Sequence, residues 1–369
     1  MTETDLPRYD HLPSAWRGPV LAAAPERWTH ELTTTELAEL DRVVRRLDAD
    51  GRDIVGIGAG DGALPELADR LGGIRRELMH GIGFALIRGF PVADYSRRQA
   101  AIGFWVLGAQ IGEAVSQNAK GHALGHVRDL GFDPNIPSAR GYQSRARLAY
   151  HCDSGDVVGL LSLRTARSGG LSSLVSSVAL YNAMVERRPD LARVLLQPTY
   201  RDRRDEIPEG RRPWYPMPVF MPGPERLFVH YVRSAIRKAQ RFEGVPRITP
   251  AQEAAFDYLE SLAGDAEFRL DTAFGPGDMQ FLCNHTILHS RTAYEDWPEP
   301  ERKRHLLRLW LACADGPAVP DYYAEHQGLT ASGRPRGILC PGAELNASLE
   351  AEDGGAGESA KRLAGAAPA

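Results

Sequence analysis

From residue 140 onward, short apolar runs alternate with glycine, proline and aspartate, and this sequence pattern restricts the folds that the chain can adopt. Each run has the length of a strand and ends at a turn signal. The clearest runs are VVGLLSLRTA (157–166), LSSLVSSVAL (171–180), RLFVHYV (226–232), EFRLDTAF (267–274), MQFLCNHTILH (279–289) and RHLLRLWLACA (304–314). Many short strands joined by turns, with helices beside them, are typical of a β-sandwich or a jelly roll.

Helical signals are strongest before this region. Thr33 and Glu36 form a capping box, and apolar residues at helical spacing follow it as far as Gly51. The run GFALIRGF at 83–90 predicts a buried strand. Similar signals, including a proline in the first turn of the last segment, predict further helices at 65–80, 100–112, 188–196 and from Thr249 onward.

The composition excludes several classes of protein. Of the 369 residues, 43% are hydrophobic, which suffices for a sizeable core, and the net charge of −4 gives no general basic surface for nucleic acid. No apolar run approaches the roughly 18 residues of a membrane span, and the polar N-terminus lacks the apolar core of a secretory signal. The four cysteines have no CxxC spacing, so neither a zinc finger nor a disulfide framework is expected. We therefore predict a cytoplasmic protein without a nucleic-acid or membrane partner.

A histidine and an aspartate stand two residues apart in the stretch YHCDSGDVVGLL. If this stretch ends a strand, His151 and Asp153 point to the same face, and Cys152 points away and packs. Such a pair is usually a hydrogen-bonded pair or part of a turn. It becomes a candidate metal site only if a second histidine joins it. His285 and His289 in NHTILHSR both offer themselves, and on a strand their spacing of four places them on one face.

Two arginines follow on a predicted strand, in the run RHLLR. Alternation along the strand places Arg304 and Arg308 on the same face. A pair of charges within otherwise apolar β structure is costly unless an anion meets it. The run therefore indicates an anionic ligand beside the last strand.

Four motifs, in this order and spacing, resemble those of taurine dioxygenase and its relatives, the TauD/TfdA-like oxygenases: HxD at 151–153, Gly-Gly-x-Ser at 169–172, Asn-x4-His at 284–289 and RHLLR at 304–308. The resemblance covers residues 80–315. It implies iron(II), 2-oxoglutarate and O2 as cofactor and co-substrates. The fold it implies is mixed α+β, mainly β, with a double-stranded β-helix (jelly roll) core and flanking helices that buttress one sheet.

Position by position, the resemblance makes His151, Asp153 and His289 the facial triad that holds iron(II). Two imidazoles and a carboxylate then occupy one face of an octahedral ion. Arg304 resembles the arginine that binds the distal carboxylate of 2-oxoglutarate, a task that suits a guanidinium because it is bidentate and stays charged. Ser172, at the family's threonine position, would donate a hydroxyl to the same carboxylate.

Arg308 corresponds to the arginine that faces the prime substrate in the sulfonate-oxidising member, and a second contact to 2-oxoglutarate is the alternative. The residues that hold the sulfonate there have no clear counterpart here. The loop between His289 and Arg304 is also longer and carries two prolines. Taurine is therefore not carried over as the substrate, and the extra arginines indicate a small polar or anionic molecule.

The activity that the resemblance implies is hydroxylation of an unactivated C–H bond, with 2-oxoglutarate converted to succinate and CO2. Desaturation, cyclisation and epimerisation are alternative outcomes with the same cofactors. A jelly-roll protein that binds metal without catalysis, and a zinc hydrolase, are rivals that the pair of arginines disfavours. The carboxylate of Asp153 argues against a halogenase, in which a small residue frees a position for halide.

Further side chains are candidates for contact with the substrate: Asn118, Tyr142, Gln143, Arg147 and Arg233. A solvated position in a loop is an equal alternative for Arg147. His285 is expected to be an ordinary strand histidine. The charged segment 200–216 is either a mobile loop or an active-site lid.

We predict four parts of the chain: an N-terminal arm and helices that pack on the core (1–79), the β-helix catalytic domain (80–315), a C-terminal extension (316–344) and a tail (345–369). The tail is rich in alanine, glycine, glutamate and serine, and its composition predicts disorder. The expected partner is a small-molecule substrate, and the oligomeric state is left open.

Overall fold

The computed structural model describes residues 6–131 and 140–350. The α-helices in these ranges are α1 (Gly18–Ala22), α2 (Thr34–Ala49), α3 (Ala68–His80), α4 (Arg97–Ile111), α5 (Ser177–Arg187), α6 (Pro189–Leu195), α7 (Arg233–Ala239), α8 (Pro250–Gly264) and α9 (Asp321–His326). The strands are β1 (Thr29–Glu31), β2 (Phe84–Arg88), β3 (Glu113–Ala114), β4 (Leu124–Val127), β5 (Leu148–His151), β6 (Val157–Arg164), β7 (Ser168–Gly169), β8 (Ser172–Ser176), β9 (Thr199–Asp202), β10 (Trp214–Met217), β11 (Phe220–Pro222), β12 (Leu227–Val229), β13 (Leu270–Thr272), β14 (Met279–Cys283), β15 (Ile287–Arg291), β16 (Tyr294–Glu295) and β17 (His305–Ala312). Across the described residues, every helix falls short of the length and apolar character that a membrane crossing needs.

Two sheets form the core. The larger has seven strands in the order β1, β2, β14, β6, β17 and β3, with β4 also pairing with β17. The smaller has four strands in the order β13, β8, β15 and β5. The β1–β2 pair is parallel, and the other pairs of these two sheets are antiparallel. Two mainly antiparallel sheets with flanking helices agree with the predicted jelly roll.

The apolar core between the sheets draws on both of them. Phe84, Leu282 and Trp310 come from the larger sheet, and Leu174 and Ile287 come from the smaller one. The outer face of the larger sheet packs against α2, α3 and α4. The outer face of the smaller sheet packs against α5, α6 and α8. The expectation that helices buttress one sheet was therefore wrong, because each sheet buries its outer face under its own helical layer.

Two of the apolar runs that predicted a single strand contain two elements each. In the run 171–180, β8 stops at Ser176, whose hydroxyl accepts the N–H of Ala179 at 2.9 Å and caps α5. The serine supplies an N-cap inside an apolar run, so the rest of the run is helical. The run 279–289 is two strands, and its turn carries the chain from the larger sheet to the smaller one. His285 lies in that turn, not in a strand as expected.

Part of the segment expected to be disordered is bound to the core. Asn346 donates its N–H to Gly121 at 2.9 Å, and its carbonyl oxygen accepts the N–H of Ala123 at 2.8 Å. The carbonyl oxygen of Ser348 accepts a hydrogen bond from the His126 ring at 2.9 Å. Disorder was expected from residue 345 onward, and these hydrogen bonds contradict that expectation for residues 345–350. Residues 351–369 lie outside the described residues.

Candidate active site

The smaller sheet brings the two candidate histidines together. His151 on β5 and His289 on β15 are direct partners in an antiparallel pair, and their ring centroids are 4.2 Å apart. Asp153 follows β5, and its Oδ2 lies 3.9 Å from Nε2 of His289. One ligand atom of each side chain lies within 4.8 Å of the other two. The register of β15 on β5 thus selects His289, where sequence spacing left His285 open.

Hydrogen bonds orient two of these side chains, and Nε2 of the third, His289, faces Asp153. Nδ1 of His151 donates to the Ala149 carbonyl at 2.9 Å, which leaves its Nε2 as the acceptor. Nδ1 of His289 has no partner in the described part of the chain. The indole N–H of Trp310 donates to Oδ2 of Asp153 at 2.9 Å and orients the carboxylate. Two imidazoles and one carboxylate in this arrangement fit the facial triad of a non-haem iron(II) site.

Burial and charge keep all three groups deprotonated. Burial lowers the pKa of His289 to about 3. Burial also lowers the pKa of His151. For Asp153, burial would raise the pKa, but the charge of Arg308 and the hydrogen bond from the Trp310 indole outweigh it and lower the pKa to about 2. Neutral imidazoles and an ionised carboxylate are the forms that bind a divalent cation.

Asn284 links the segment after β5 to the turn before β15. Its Oδ1 accepts the backbone N–H of Asp153 at 2.9 Å, and its Nδ2 donates to the Gly155 carbonyl at 3.0 Å. The side chain is buried, so these bonds lie in a region of low dielectric. This asparagine, which opens the Asn-x4-His motif, therefore ties Asp153 to the strand that carries His289.

A cavity of about 230 Å³ is lined by two of the three groups, His151 and Asp153. Tyr142 and Arg308 also line it, and the Tyr142 ring lies 4.6 Å from the Arg308 guanidinium carbon. Nη1 of Arg308 is 3.5 Å from Oδ2 of Asp153. A larger cavity of about 530 Å³ lies beside α4 and residues 55–59, and its lining includes none of the triad. The chemistry of the lining therefore favours the smaller cavity as the active site.

Gln117, which sequence reasoning missed, holds Arg308. Its Oε1 accepts Nε–H of Arg308 at 2.7 Å, and its Nε2 donates to the Arg308 carbonyl at 2.9 Å and the Ala123 carbonyl at 2.8 Å. The neighbouring candidate, Asn118, accepts the N–H of Lys120 at 2.9 Å and closes a turn. Nothing in the local sequence distinguishes which of the two amides faces inward.

A second polar cluster joins the two sheets. Ser172 on β8 donates its hydroxyl to Oε1 of Gln280 on β14 at 2.8 Å. Ser172 is flanked in the smaller sheet by its strand partners Thr272 and Arg291. Oγ1 of Thr272, Nε2 of Gln280 and two nitrogens of Arg291 are buried and lack a partner among the residues described. Buried donors without partners are costly, so this cluster fits an anionic or strongly accepting ligand.

Arg304 belongs to the same polar region. It is 6% exposed, and its Nη1 lacks a hydrogen-bond partner within the described ranges. Burial, followed by the charge of Arg291, lowers the pKa of Arg304 to about 10. The guanidinium carbons of Arg304 and Arg291 lie 5.2 and 4.7 Å from the Tyr294 ring. Arg291 was missed from the sequence, although its place two residues after His289 on β15 puts it on the same strand face.

Two of the predicted substrate contacts, Tyr142 and Arg233, line the cavity. The guanidinium of Arg233 is engaged elsewhere, since it makes hydrogen bonds of 2.5 to 2.8 Å to three carboxylates of α8: Glu253, Asp257 and Glu260. Its charge is therefore already balanced, and Tyr142 is the stronger candidate of the two.

The other three predicted substrate contacts are not in the cavity lining. Gln143 is buried, and its Oε1 accepts the Arg140 backbone N–H at 3.1 Å, so it caps a short turn. Arg147 is exposed, which agrees with the alternative of a solvated loop residue. Asn118 closes the turn described above. Local backbone hydrogen bonds thus account for both amides.

His285 and Cys152 are engaged away from the triad. Nε2 of His285 lies 2.7 Å from Oδ1 of buried Asp156, and its Nδ1 lies 3.2 Å from the Tyr323 hydroxyl. Sγ of Cys152 accepts the N–H of Tyr231 at 3.2 Å. Cys152 belongs to the apolar cluster between the smaller sheet and the helices that cover its outer face. The packing predicted for Cys152 agrees with this position.

The family model for the taurine catabolism dioxygenase TauD, TfdA family matches residues 47–310. FR-33289 synthase of Streptomyces rubellomurinus is 28% identical over 327 residues, covering 87% of this chain and 96% of that protein. A structure of asparagine oxygenase with Fe(II), 2S,3S-3-hydroxyasparagine and succinate has a TM-score of 0.60 at 14% identity, covering 87% of this chain and all of that one. A structure of the non-haem iron oxygenase OrfP with Fe and alpha-ketoglutaric acid has a TM-score of 0.57 at 17% identity, covering 84% and 99%.

Proposed function

The chain belongs to the taurine catabolism dioxygenase TauD, TfdA family and is an oxygenase dependent on iron(II), 2-oxoglutarate and O2; from this premise we propose that it hydroxylates an unactivated C–H bond of a small polar or anionic substrate. In that reaction 2-oxoglutarate is converted to succinate and CO2. We also propose a cytoplasmic setting, which is supported by the free thiols of all four cysteines.

The geometry of the triad is the observation that carries this function. His151, Asp153 and His289 are the proposed iron ligands, supported by ligand atoms within 4.8 Å of one another and by their deprotonated state. Bound iron(II) supplies the activation of O2 on which the oxidation depends. Trp310 fixes the orientation of the Asp153 carboxylate through its indole N–H.

Arg304 and Ser172 are the proposed contacts for the distal carboxylate of 2-oxoglutarate. Nη1 of Arg304 has no hydrogen-bond partner among the described residues, which supports this role, because a carboxylate would satisfy it with a charge-assisted bond. Ser172 turns its hydroxyl from Gln280 to the ligand in this arrangement, and Gln280 has a second polar atom, Nε2, available there. Arg291 adds positive charge on the neighbouring strand.

Arg308 is assigned to the prime substrate in preference to 2-oxoglutarate. It lines the cavity with Tyr142 and approaches Asp153, whereas Arg304 is not part of that lining. Gln117 keeps the guanidinium in place. The cavity volume of about 230 Å³ is below the roughly 300–1,000 Å³ of pockets for drug-sized ligands. A small substrate with an anionic group for Arg308 fits this space.

Anaerobic titration tests the proposal. Apoprotein is titrated with iron(II) and then with 2-oxoglutarate, and visible absorption is followed for the weak metal-to-ligand charge-transfer band of the chelate. The band is expected in the wild type and in the control Asp190→Ala, an exposed aspartate paired with Arg188, and it is expected to be absent in Asp153→Ala. A wild type without the band at saturating iron and 2-oxoglutarate would refute the assignment of the triad.

A further inference from the structure

The loop between β15 and β17 is fastened to the Gly-Gly motif that precedes Ser172. Its short strand β16 pairs with β7 and places Tyr294 opposite Gly169. The N–H of Gly170 donates to the Ala293 carbonyl at 3.2 Å. The φ of Gly169 is 73°, and a Cβ at this position would overlap the Ala293 carbonyl oxygen, so the contact requires glycine. The loop thus packs directly on a motif of the candidate site.

The Tyr294 ring lies against two arginines of the proposed co-substrate site. Its centre is 4.7 Å from the guanidinium carbon of Arg291 and 5.2 Å from that of Arg304. All three residues are buried, with 5 to 6% of their surface exposed. An aromatic ring within about 6 Å attracts a guanidinium, and the attraction is strongest where water is excluded. The ring is therefore a packing partner that both guanidiniums share.

A backbone hydrogen bond fixes the base of Arg304, and Tyr294 packs on its guanidinium. The Arg304 N–H donates to Oδ1 of Asp296 at 2.7 Å, so this carboxylate lies near the arginine but is bound to its backbone. Nη1 of Arg304 has no hydrogen-bond partner among the described residues. A long side chain loses conformational entropy when a ligand immobilises it. Packing on Tyr294 restricts the guanidinium in advance and reduces that loss.

Arg291 is bound on one side and open on the other. Its Nη2 donates to the Ser144 carbonyl at 2.9 Å, whereas Nε and Nη1 lack a partner in the described ranges. Arg291 and Ser172 are direct partners across β15 and β8, so their side chains are neighbours on one sheet face. The N–H of Tyr294 donates to the Arg145 carbonyl at 3.2 Å, which fixes the ring from a second direction. The two arginines and the ring thus form one wall beside Ser172.

We propose that Tyr294 is a positioning residue for the co-substrate: its ring holds the Arg304 guanidinium, with Arg291 beside it, in the orientation that receives the distal carboxylate of 2-oxoglutarate. The loop between β15 and β17 then has a role, because it carries the ring and is anchored to Gly169 and Gly170. This inference rests on the proposed function in one respect, namely that Arg304 binds that carboxylate.

Two 2-oxo acids separate this role from general damage to the site. 2-Oxobutyrate offers iron(II) the same keto and carboxylate oxygens as 2-oxoglutarate but has no distal carboxylate. The charge-transfer band, followed anaerobically against the concentration of each acid, gives both Kd values. In Tyr294→Leu, the Kd of 2-oxoglutarate is expected to rise about tenfold, and the Kd of 2-oxobutyrate is expected to stay within about twofold of the wild type. Iron(II) affinity, measured before either acid is added, should be unchanged.

Tyr294→Phe keeps the ring and should rescue binding. The Tyr294 hydroxyl has no partner within the described part of the chain, so its removal breaks no hydrogen bond there. The Kd of 2-oxoglutarate in this variant is expected to stay within about threefold of the wild type. Tyr294→Met, which fills more of the space of the ring, replaces the leucine variant if that variant does not fold.

Tyr258→Leu is the matched control, because Tyr258 on α8 also packs on an arginine, Arg188, at 5.9 Å. Its Kd for 2-oxoglutarate should equal that of the wild type. An equal loss for both acids in Tyr294→Leu, a phenylalanine variant as weak as the leucine variant, or a normal Kd in Tyr294→Leu would each overturn the positioning role. The band in the wild type reports the triad and Arg304→Met reports the carboxylate contact, so failure of Tyr294 alone and failure of the proposed function are distinguishable.

Discussion

Gln117 and Arg308 hold each other through two hydrogen bonds, from Arg308 Nε to Gln117 Oε1 at 2.7 Å and from Gln117 Nε2 to the Arg308 carbonyl at 2.9 Å. Both side chains are buried, and 190 residues separate them in the chain. The pair places a guanidinium 3.5 Å from the Asp153 carboxylate. An amide far from the motifs therefore determines the position of a charge in the candidate active site.

Replacement of Gln117 by leucine is expected to destabilise the protein. The substitution leaves Nε of Arg308 and two carbonyl oxygens unpaired in a buried site, which costs about 2–3 kcal/mol of unfolding free energy. Urea unfolding followed by tryptophan fluorescence measures the loss. Gln197→Leu, at an exposed glutamine, is expected to stay within about 0.5 kcal/mol of the wild type. Equal effects in the two variants would contradict a structural role for the Gln117–Arg308 pair.

Arg304→Met is expected to weaken 2-oxoglutarate binding selectively. Loss of a charge-assisted bond of about 1.5–3 kcal/mol corresponds to a rise in Kd of about tenfold or more. The intensity of the charge-transfer band against 2-oxoglutarate concentration gives the Kd, and iron(II) affinity measured before 2-oxoglutarate is added should be unchanged. Arg302→Met is the control, because Arg302 is exposed and stacks on Trp297 in the same loop. A normal Kd in Arg304→Met would exclude this arginine from the co-substrate site.

Asp156→Asn is expected to be strongly destabilising. The carboxylate is fully buried, pairs with Arg334 at 2.6 Å and His285 at 2.7 Å, and accepts the N–H of Cys313 at 2.8 Å. Removing one charge of a buried pair costs about 3–5 kcal/mol, because the partner remains buried and uncompensated. Denaturant unfolding of this variant should show that loss, while Asp190→Asn at an exposed ion pair should change stability by less than about 0.5 kcal/mol. A small effect at Asp156 would mean that Arg334 finds another partner.

The free energy of unfolding should fall as the pH drops below neutral, and His305 should account for part of that loss. Burial lowers the pKa of His305 to about 2, so the folded state keeps the ring neutral while the unfolded chain takes up a proton below about pH 6.5. The contribution of His305 is therefore complete above pH 6.5 and declines as the pH falls, by about 1.4 kcal/mol per unit.

His305→Gln tests this dependence. Nε2 of His305 lies 2.8 Å from Nδ1 of His126, and a glutamine amide offers a donor at a similar reach. Unfolding free energies of the wild type and the variant, measured at intervals from pH 7.5 to pH 5, should converge or cross as the pH falls. Parallel curves for the two proteins would show that His305 titrates alike in the folded and unfolded states.

Several elements were predictable because their signals are local. The capping box of Thr33 and Glu36 starts α2 as expected, Gly81 ends α3, and the apolar runs at 83–90, 157–166 and 304–314 contain β2, β6 and β17. Such signals depend on neighbours within a few residues and on the period of the side chains. Where two local signals competed, as at Ser176, the N-cap prevailed over the strand pattern.

The sequence alone determined the residue types and the order of the motifs, and hence the family, because chemistry and spacing are properties of the chain itself. The tertiary structure decided which side chains meet. It paired His289 with His151 through the register of β15 on β5, in agreement with the ligand that the resemblance implied, and it placed Gln117 inward and Asn118 in a turn. It also packed Tyr294 on Arg304. These contacts join strands and turns that are far apart in the chain. Strand pairing, and the passage of the chain from one sheet to the other, determine which of them form, and the local periodicity of the sequence does not encode either.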